Sequence, residues 1–153
     1  MPEKHKSAPV ALANPMRANL HDIRRFPWRA NPGREPLIIL IVEDNAAIRR
    51  LIARTVRHLA DDIHECTDGA DALDAYIQCH PDIVFMDIRM PRMDGIAATR
   101  LIRKHFPRAY IVIVTDYDSE ELKSAALEAG AQGFALKDNL CELEGYIANL
   151  DAK

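Results

Sequence analysis

Three carboxylates, a hydroxyl and an amine stand at the ends of short apolar runs in this chain. Glu43-Asp44 closes Leu37–Val42, Asp87 closes Ile83–Met86, Thr115 follows Tyr110–Val114, and Lys137 follows Gly133–Leu136. One carboxylate after one strand is ordinarily a helix cap. Four strand ends carrying complementary groups point to a shared task. Carboxylates gathered together repel unless a cation joins them. Oxygen ligands with few fixed protein contacts suit Mg²⁺, which keeps several waters and bridges to phosphoryl oxygens. A carboxylate is also a nucleophile that forms a covalent acyl phosphate. We therefore read Asp87 as a phosphoacceptor and Glu43, Asp44 and Asp87 as Mg²⁺ ligands. Lys137 neutralises the transferring group, and Thr115 donates to one of its oxygens. The chain has no GxxxxGK[ST] loop and no GxGxxG, so a bound nucleotide is not indicated.

Those residues meet only if the intervening elements place them on one rim. Ile48, Leu51, Ile52, Thr55, Val56 and Leu59 recur at helical spacing after the first run. Ile63–Cys66 alternates as a weak strand. Asp68-Gly69 then opens a second helix, with Leu73, Tyr76 and Ile77 expected inward. Asp94-Gly95 opens a third, through Ile96, Thr99, Ile102 and Phe106, stopped by Pro107. Asp118 is the expected cap of a fourth helix over Leu122, Ala125, Ala126 and Ala129, with Gly130 at its C-terminal end. Leu140, Leu143, Ile147 and Leu150 line a fifth. Strands apolar on both faces and linked through helices predict an α/β protein with a doubly wound, five-stranded parallel sheet. All strand carboxyl ends then share one rim, where open α/β sheets bind ligands.

Composition fits one globular domain with an extension. The chain has 153 residues, 48% apolar and 28% charged, with a net charge of -3. Residues 1–36 carry seven Lys or Arg and three Asp or Glu, whereas 37–153 carry thirteen and twenty. The folded part is therefore acidic and a poor nucleic-acid binder by itself. Six prolines and few branched aliphatics mark residues 1–36 as a disordered basic extension. Asn19 to Phe26 could form a brief basic helix beside the Phe26-Pro27-Trp28 cluster. Lys4 to Ala13 imitates a signal peptide but is too short and holds Pro9. No stretch reaches membrane-spanning length. Cys66, Cys79 and Cys141 form no CxxC, which suits a reducing cytoplasm.

On these residues the chain resembles the receiver domain of two-component response regulators, the chemotaxis-regulator-like group. The resemblance covers residues 37–150, about three quarters of the chain. It rests on Glu43-Asp44, Asp87, Met90-Pro91, Asp94-Gly95, Thr115, Gly130-Ala131, Gly133-Phe134 and Lys137. It implies the flavodoxin-like (βα)5 fold with strand order 2-1-3-4-5. It also implies phosphoryl transfer to Asp87 from a sensor histidine kinase or a histidine phosphotransfer protein, with Mg²⁺ required. Thr115 and Phe134 then act as a switch that rearranges the face of the fourth helix, fifth strand and fifth helix. That face should carry Lys123, Glu142 and Tyr146, and should engage a downstream protein target or a second copy of the chain. The residues that tune phosphoryl lifetime in the family fall here on Arg89 and Tyr117. Three positions depart from the common pattern: Glu43 where aspartate is frequent, Asp116 where a small residue is usual, and Asp138 where proline often stands. The chain ends three residues after Leu150, so a stand-alone receiver over 37–153 is expected.

Two other classes share part of this pattern. A haloacid-dehalogenase-like hydrolase also uses an aspartyl nucleophile, but wants an acid two residues later, where this chain has Arg89. A nucleic-acid-binding regulator would have to rely on the basic residues 1–36. His5, His21, His58, His64, His80 and His105 show no ligand spacing. Arg49, Arg50, Arg54 and Arg57 read as one solvated helix face, and Met86, Met90 and Met93 as packing.

Overall fold

The computed structural model describes residues 35–150. The readings placed on Lys4 to Ala13, on Asn19 to Phe26 and on Phe26-Pro27-Trp28 lie outside the described residues. Ten elements alternate along the chain: β1 (Ile38–Val42), α1 (Ala46–Val56), β2 (Asp62–Cys66), α2 (Gly69–Cys79), β3 (Ile83–Met86), α3 (Gly95–His105), β4 (Ile111–Thr115), α4 (Glu120–Glu128), β5 (Gly133–Leu136) and α5 (Glu142–Ala148). The strands form one sheet in the order β2-β1-β3-β4-β5, with every pair parallel. Because side chains alternate across a strand, each strand feeds both sheet faces. Leu40, Val42, Val84, Met86, Ile111 and Ile113 pack with Ala72 and Tyr76 of α2, Ala98 and Ile102 of α3, and Ala126 of α4. Ile39, Ile41, Ile83, Phe85, Val112 and Val114 pack with Ile52 and Val56 of α1 and with Leu143 and Ile147 of α5. Each Val, Leu, Ile, Phe or Met among them, once buried, stabilises the fold by about 1.5–3 kcal/mol. The apolar runs are strands because both their faces are covered.

Strand order reverses between β1 and β3. That opens a crevice at their carboxyl ends, the position at which such sheets bind ligands, and this fold is itself a standing example of the rule. Helix starts then bring polar groups to the crevice. Asn45 caps α1, its side chain accepting from the N–H of Ala47 and Ile48. Asp94 caps α3, accepting from the Ala97 N–H at 2.9 Å. The Gly95 N–H donates to the Ile88 carbonyl at 2.8 Å and closes the loop between β3 and α3. A Cβ at position 95 would overlap the Asp87 carbonyl oxygen, so the approach of α3 to the end of β3 requires glycine here.

Several expectations need correction. Ser119, not Asp118, caps α4: its hydroxyl accepts from the Leu122 N–H, while Asp118 pairs with Lys123 at 2.6 Å. Leu51 and Ile77 share the helical period of their neighbours yet are 45% and 47% exposed. Ile52 of α1 and Tyr76 of α2 are buried as expected, and Ala72 of α2 is buried with them. Helix α5 is shorter than its apolar pattern. Leu140 and Leu150 flank it in turns and still pack on the same cluster as Leu143 and Ile147. Leu59 follows α1 in a turn, and Leu37 and Tyr110 each precede a strand.

Candidate functional site

The rim gathers every group that the sequence places at a strand end. Glu43 and Asp44 follow β1, Asp87 follows β3, Thr115 ends β4 and Lys137 follows β5. Ladder bonds carry them there: the Asp87 N–H donates to the Val42 carbonyl at 2.9 Å, and the Lys137 N–H to the Thr115 carbonyl at 2.9 Å. A pocket is lined by Glu43, Asp44, Asn45, Ile48, Asp87, Arg89, Thr115, Asp116, Tyr117 and Lys137. Glu43, Asp87 and Thr115 are 1%, 5% and 1% exposed, whereas Asp44 faces solvent.

Lys137 is the centre of the charge balance. Its Nζ lies 2.8 Å from Glu43 Oε2, 3.0 Å from Asp87 Oδ1 and 3.7 Å from Asp116 Oδ2. The Ile88 N–H donates to Asp87 Oδ1 at 2.9 Å, and the Asn45 N–H to Glu43 Oε1 at 3.0 Å. Burial pushes the carboxyls of Glu43 and Asp87 above their ordinary range, against the opposing pull of Lys137 and these N–H groups. Burial also acts to lower Lys137, but its contacts with Glu43 and Asp87 outweigh that and raise it. Lys137 therefore stays charged among carboxylates that it does not fully neutralise.

The residues present fit a hard divalent cation. Glu43, Asp44 and Asp87 each offer a carboxylate oxygen, all within 4.8 Å of one another. Glu43 Oε2 is shielded from solvent and has the Lys137 ammonium as its close partner, without an aligned hydrogen bond. An oxygen-only set whose three negative charges exceed the one ammonium beside it is the donor chemistry that Mg²⁺ takes.

Arg89 and Tyr117 meet at the pocket's mouth. The Arg89 guanidinium lies 3.9 Å from the centre of the Tyr117 ring, a cation–π contact. Thr115 Oγ1 accepts from the Tyr117 N–H at 3.3 Å. Phe134 lies in β5, away from the carboxylates. Lys123 of α4 stands 5.7 Å from the centre of its ring, and the Tyr146 hydroxyl of α5 bonds both its N–H and its carbonyl at 3.2 Å.

Sequence reasoning missed the contacts made by four residues. Arg49 is no solvated residue of a helix face. Its Nη1 donates to the Glu43 carbonyl at 2.9 Å and its Nε to Glu65 Oε2 at 2.8 Å, bracing the end of β1. Nothing in the sequence distinguishes it from exposed Arg50, Arg54 and Arg57. Asn45 holds Glu43 through its N–H and caps α1; its place just before a helical pattern was the available signal. Asp68 reaches across to the loop after β3. Tyr146 clamps the backbone of β5.

Comparison with known proteins agrees with this geometry. The family model described as the response regulator receiver domain matches residues 39–147. The regulatory protein AtoC of Escherichia coli is 37% identical over 99 residues, which are 65% of this chain and 22% of that protein. The chemotaxis protein CheY of Halobacterium salinarum is 34% identical over 99 residues, 65% of this chain and 82% of that protein. A two-component response regulator structure of the LuxR family from Aurantimonas has a TM-score of 0.71 at 32% identity, covering 78% of this chain and 88% of that one. CheY in the CheX–CheY–BeF3–Mg complex of Borrelia burgdorferi has a TM-score of 0.72 at 25% identity, covering 77% and 91%. The chain spans 22%, 28% and 48% of the length of three of its curated relatives.

The charge balance yields a stability prediction. A carboxyl whose pKa is raised in the folded state binds more protons there than in the unfolded chain. Its contribution to stability therefore falls as pH rises from about 4 through the folded value. Asp87→Asn should stabilise the metal-free protein at neutral pH by on the order of 1 kcal/mol, a rise of several degrees in Tm. The gain should shrink as pH falls through the raised folded value of Asp87, where the native protein takes up its proton, toward the unfolded value of about 4. Thermal melts of both proteins in EDTA across that range check this. An equal or lower Tm for Asp87→Asn at pH 7 would contradict the electrostatic account.

Proposed function

The chain belongs to the response regulator receiver family, and on that premise we propose that it is a phosphorylation switch in two-component signalling. In this reading residues 37–153 form the receiver and residues 1–36 a basic extension. Asp87 takes a phosphoryl group from a phosphohistidine on a sensor histidine kinase or a phosphotransfer protein. The observation that carries the reading is the environment of Asp87. Its Oδ1 faces both the Ile88 N–H and Lys137, inside a pocket open to solvent through Asp44, Arg89 and Asp116.

With Oδ1 so engaged, Oδ2 is the oxygen left to attack phosphorus. The new O–P bond forms as the P–N bond breaks, and the imidazole leaves with the electron pair. Lys137 follows the charge from the carboxylate to a phosphoryl oxygen. Thr115 turns its hydroxyl from accepting the Tyr117 N–H to donating to another phosphoryl oxygen. Glu43, Asp44 and Asp87 would hold Mg²⁺, which supplies positive charge against the phosphoryl oxygens. Burial serves this chemistry, because the same charges interact more strongly out of water.

Arg89 and Tyr117 tune the lifetime of the phosphoryl group in this reading. Stacked across the mouth, they narrow the path by which water reaches phosphorus, and Arg89 can pair with phosphoryl oxygens. The signal leaves by Thr115 and Phe134. When Thr115 is drawn toward the phosphoryl group, the space beside it changes. Phe134, between Lys123 of α4 and Tyr146 of α5, is placed to follow. Phosphorylation then shifts the population toward an arrangement of α4, β5 and α5 that a protein target, or a second copy, binds better.

Incubation with acetyl phosphate and Mg²⁺ should add one phosphoryl mass, mapped to Asp87. Asp87→Asn should take up none, and a full shift in that variant would refute the assignment. The phosphorylated native protein should lose its label several-fold more slowly than the Arg89→Asn, Tyr117→Glu double variant. Equal decay would mean that the stacked pair does not restrain water. In pulldowns, phosphorylated protein should retain a partner more strongly than unmodified or Asp87→Asn protein, with or without residues 1–36. Identical retention in all forms would show that the surface is not switched by phosphorylation.

A further inference from the structure

The loop from Asp87 to Asp94 carries two groups that face the acceptor. The Ile88 N–H bonds Asp87 Oδ1, and Arg89 closes the mouth with Tyr117. Its base is closed by the Gly95 N–H on the Ile88 carbonyl. Its far end contains Pro91, which has no N–H to give. The next two donors, the N–H groups of Arg92 and Met93, both go to one side chain on another element. Asp68, 4% exposed, accepts from Arg92 on Oδ2 at 3.0 Å and from Met93 on Oδ1 at 3.2 Å.

We propose that Asp68, outside the phosphoryl pocket, is a positioning residue for phosphoryl transfer. It pins the loop between β3 and α3 so that the Ile88 N–H and Arg89 stay in register with Asp87. The proposal rests on Asp87 being the phosphoacceptor. Asp68 also caps α2, its Oδ1 accepting from the Ala70 N–H at 2.9 Å. A cap needs only one oxygen. Here the second oxygen and a second bond to the first are both spent on the loop. Side chains continue the join: Arg92 Nε stands 3.9 Å from Asp68 Oδ2, and its Nη2 bonds Asp71 Oδ2. Gly69 completes it, since a Cβ there would overlap the Met93 carbonyl oxygen and push the loop off α2. Three N–H bonds hold the Asp68 carboxyl below its usual range, so it is ionised whenever Asp87 is able to react.

The two roles of Asp68 rank substitutions differently. As caps, Asn and Ser equal Asp, and Ala is worse. As a loop anchor, Asn keeps the bonds to one oxygen but turns an amide N–H₂ toward the Arg92 N–H, and Ser is too short to reach the loop. Asp68→Asn should therefore melt nearest the native temperature, Asp68→Ser lower by the lost loop bonds, and Asp68→Ala lower still by the lost cap. The initial rate of phosphorylation by acetyl phosphate at saturating Mg²⁺ should fall about 10-fold in Asp68→Ser, a loss typical for removal of an outer orienting partner. It should fall less in Asp68→Asn, and in Asp68→Ala as much as in Asp68→Ser. Hydrogen exchange of unphosphorylated protein should show lost protection at Ile88, Arg92 and Met93 in Asp68→Ser. Rates that follow the melting temperatures, or unchanged protection at Ile88, would overturn the proposal. A native chain that takes no phosphoryl group would count against Asp87 as the acceptor. The exchange measurement, which needs no phosphate, then decides the loop on its own.

Discussion

The charge balance around Lys137 is the constraint on which this molecule depends. One ammonium faces Glu43 and Asp87 in a site shielded from solvent, with Asp44 and Asp116 at its edge. In such surroundings an isolated charge is costly and a pair is worth more than in water. The site is left electrically unfinished. Burial raises the two inner carboxyls, and one ammonium does not neutralise three acids. A divalent cation would bring the complementary positive charge to that unfinished site. Asp116 adds an acid at a position where the family usually has a small residue, and it is drawn toward the same lysine. The balance in this chain is thus more negative than in the common pattern.

Holding those charges in place falls to bonds that lie mostly outside the pocket. The Glu43 carboxylate is fixed by the Asn45 N–H, and its carbonyl by Arg49, which leans on Glu65 of β2. Asp87 is fixed by Ile88, whose loop is closed by Gly95 and anchored by Asp68. Each arrangement uses a helix start. Asn45, Asp68 and Asp94 cap α1, α2 and α3, and all three caps stand beside the end of β1 or the loop after β3. Helix starts need acceptors for their N–H groups. Here those acceptors sit where the chemistry needs order.

The opposite flank carries the proposed switch. Thr115 and Lys137 are joined through the β4–β5 ladder, so a pull on either is felt along β5. β5 is an edge strand, and Tyr146 satisfies both the N–H and the carbonyl of Phe134 from α5. The Phe134 ring is half-buried between α4 and α5, neither locked in the core nor free in solvent. In the proposed switch, a residue so placed can shift at modest cost. A packed core residue such as Phe85 cannot, because close-packed interiors do not yield to small shifts.

The sequence by itself determined the alternation of strands and helices, the parallel sheet and the rim that collects Glu43, Asp44, Asp87, Thr115 and Lys137. The signal was strong because strands buried on both faces must be apolar throughout, which puts each polar group at a strand end. Periodicity could not rank residues within a helix face. Leu51 and Ile77 fit the period, yet Ile52 and Tyr76 are the residues that meet the sheet. Asp118 looked as good a cap as Ser119. Lys123, one turn on, draws Asp118 away, and only the backbone's path puts Ser119 at the cap. Tertiary structure alone decided the roles of Arg49, Asp68 and Tyr146. Each acts on an element distant in sequence, through a side chain whose type is common on any surface. A long-range hydrogen bond is a property of two places at once, and one of them is invisible until the chain has folded.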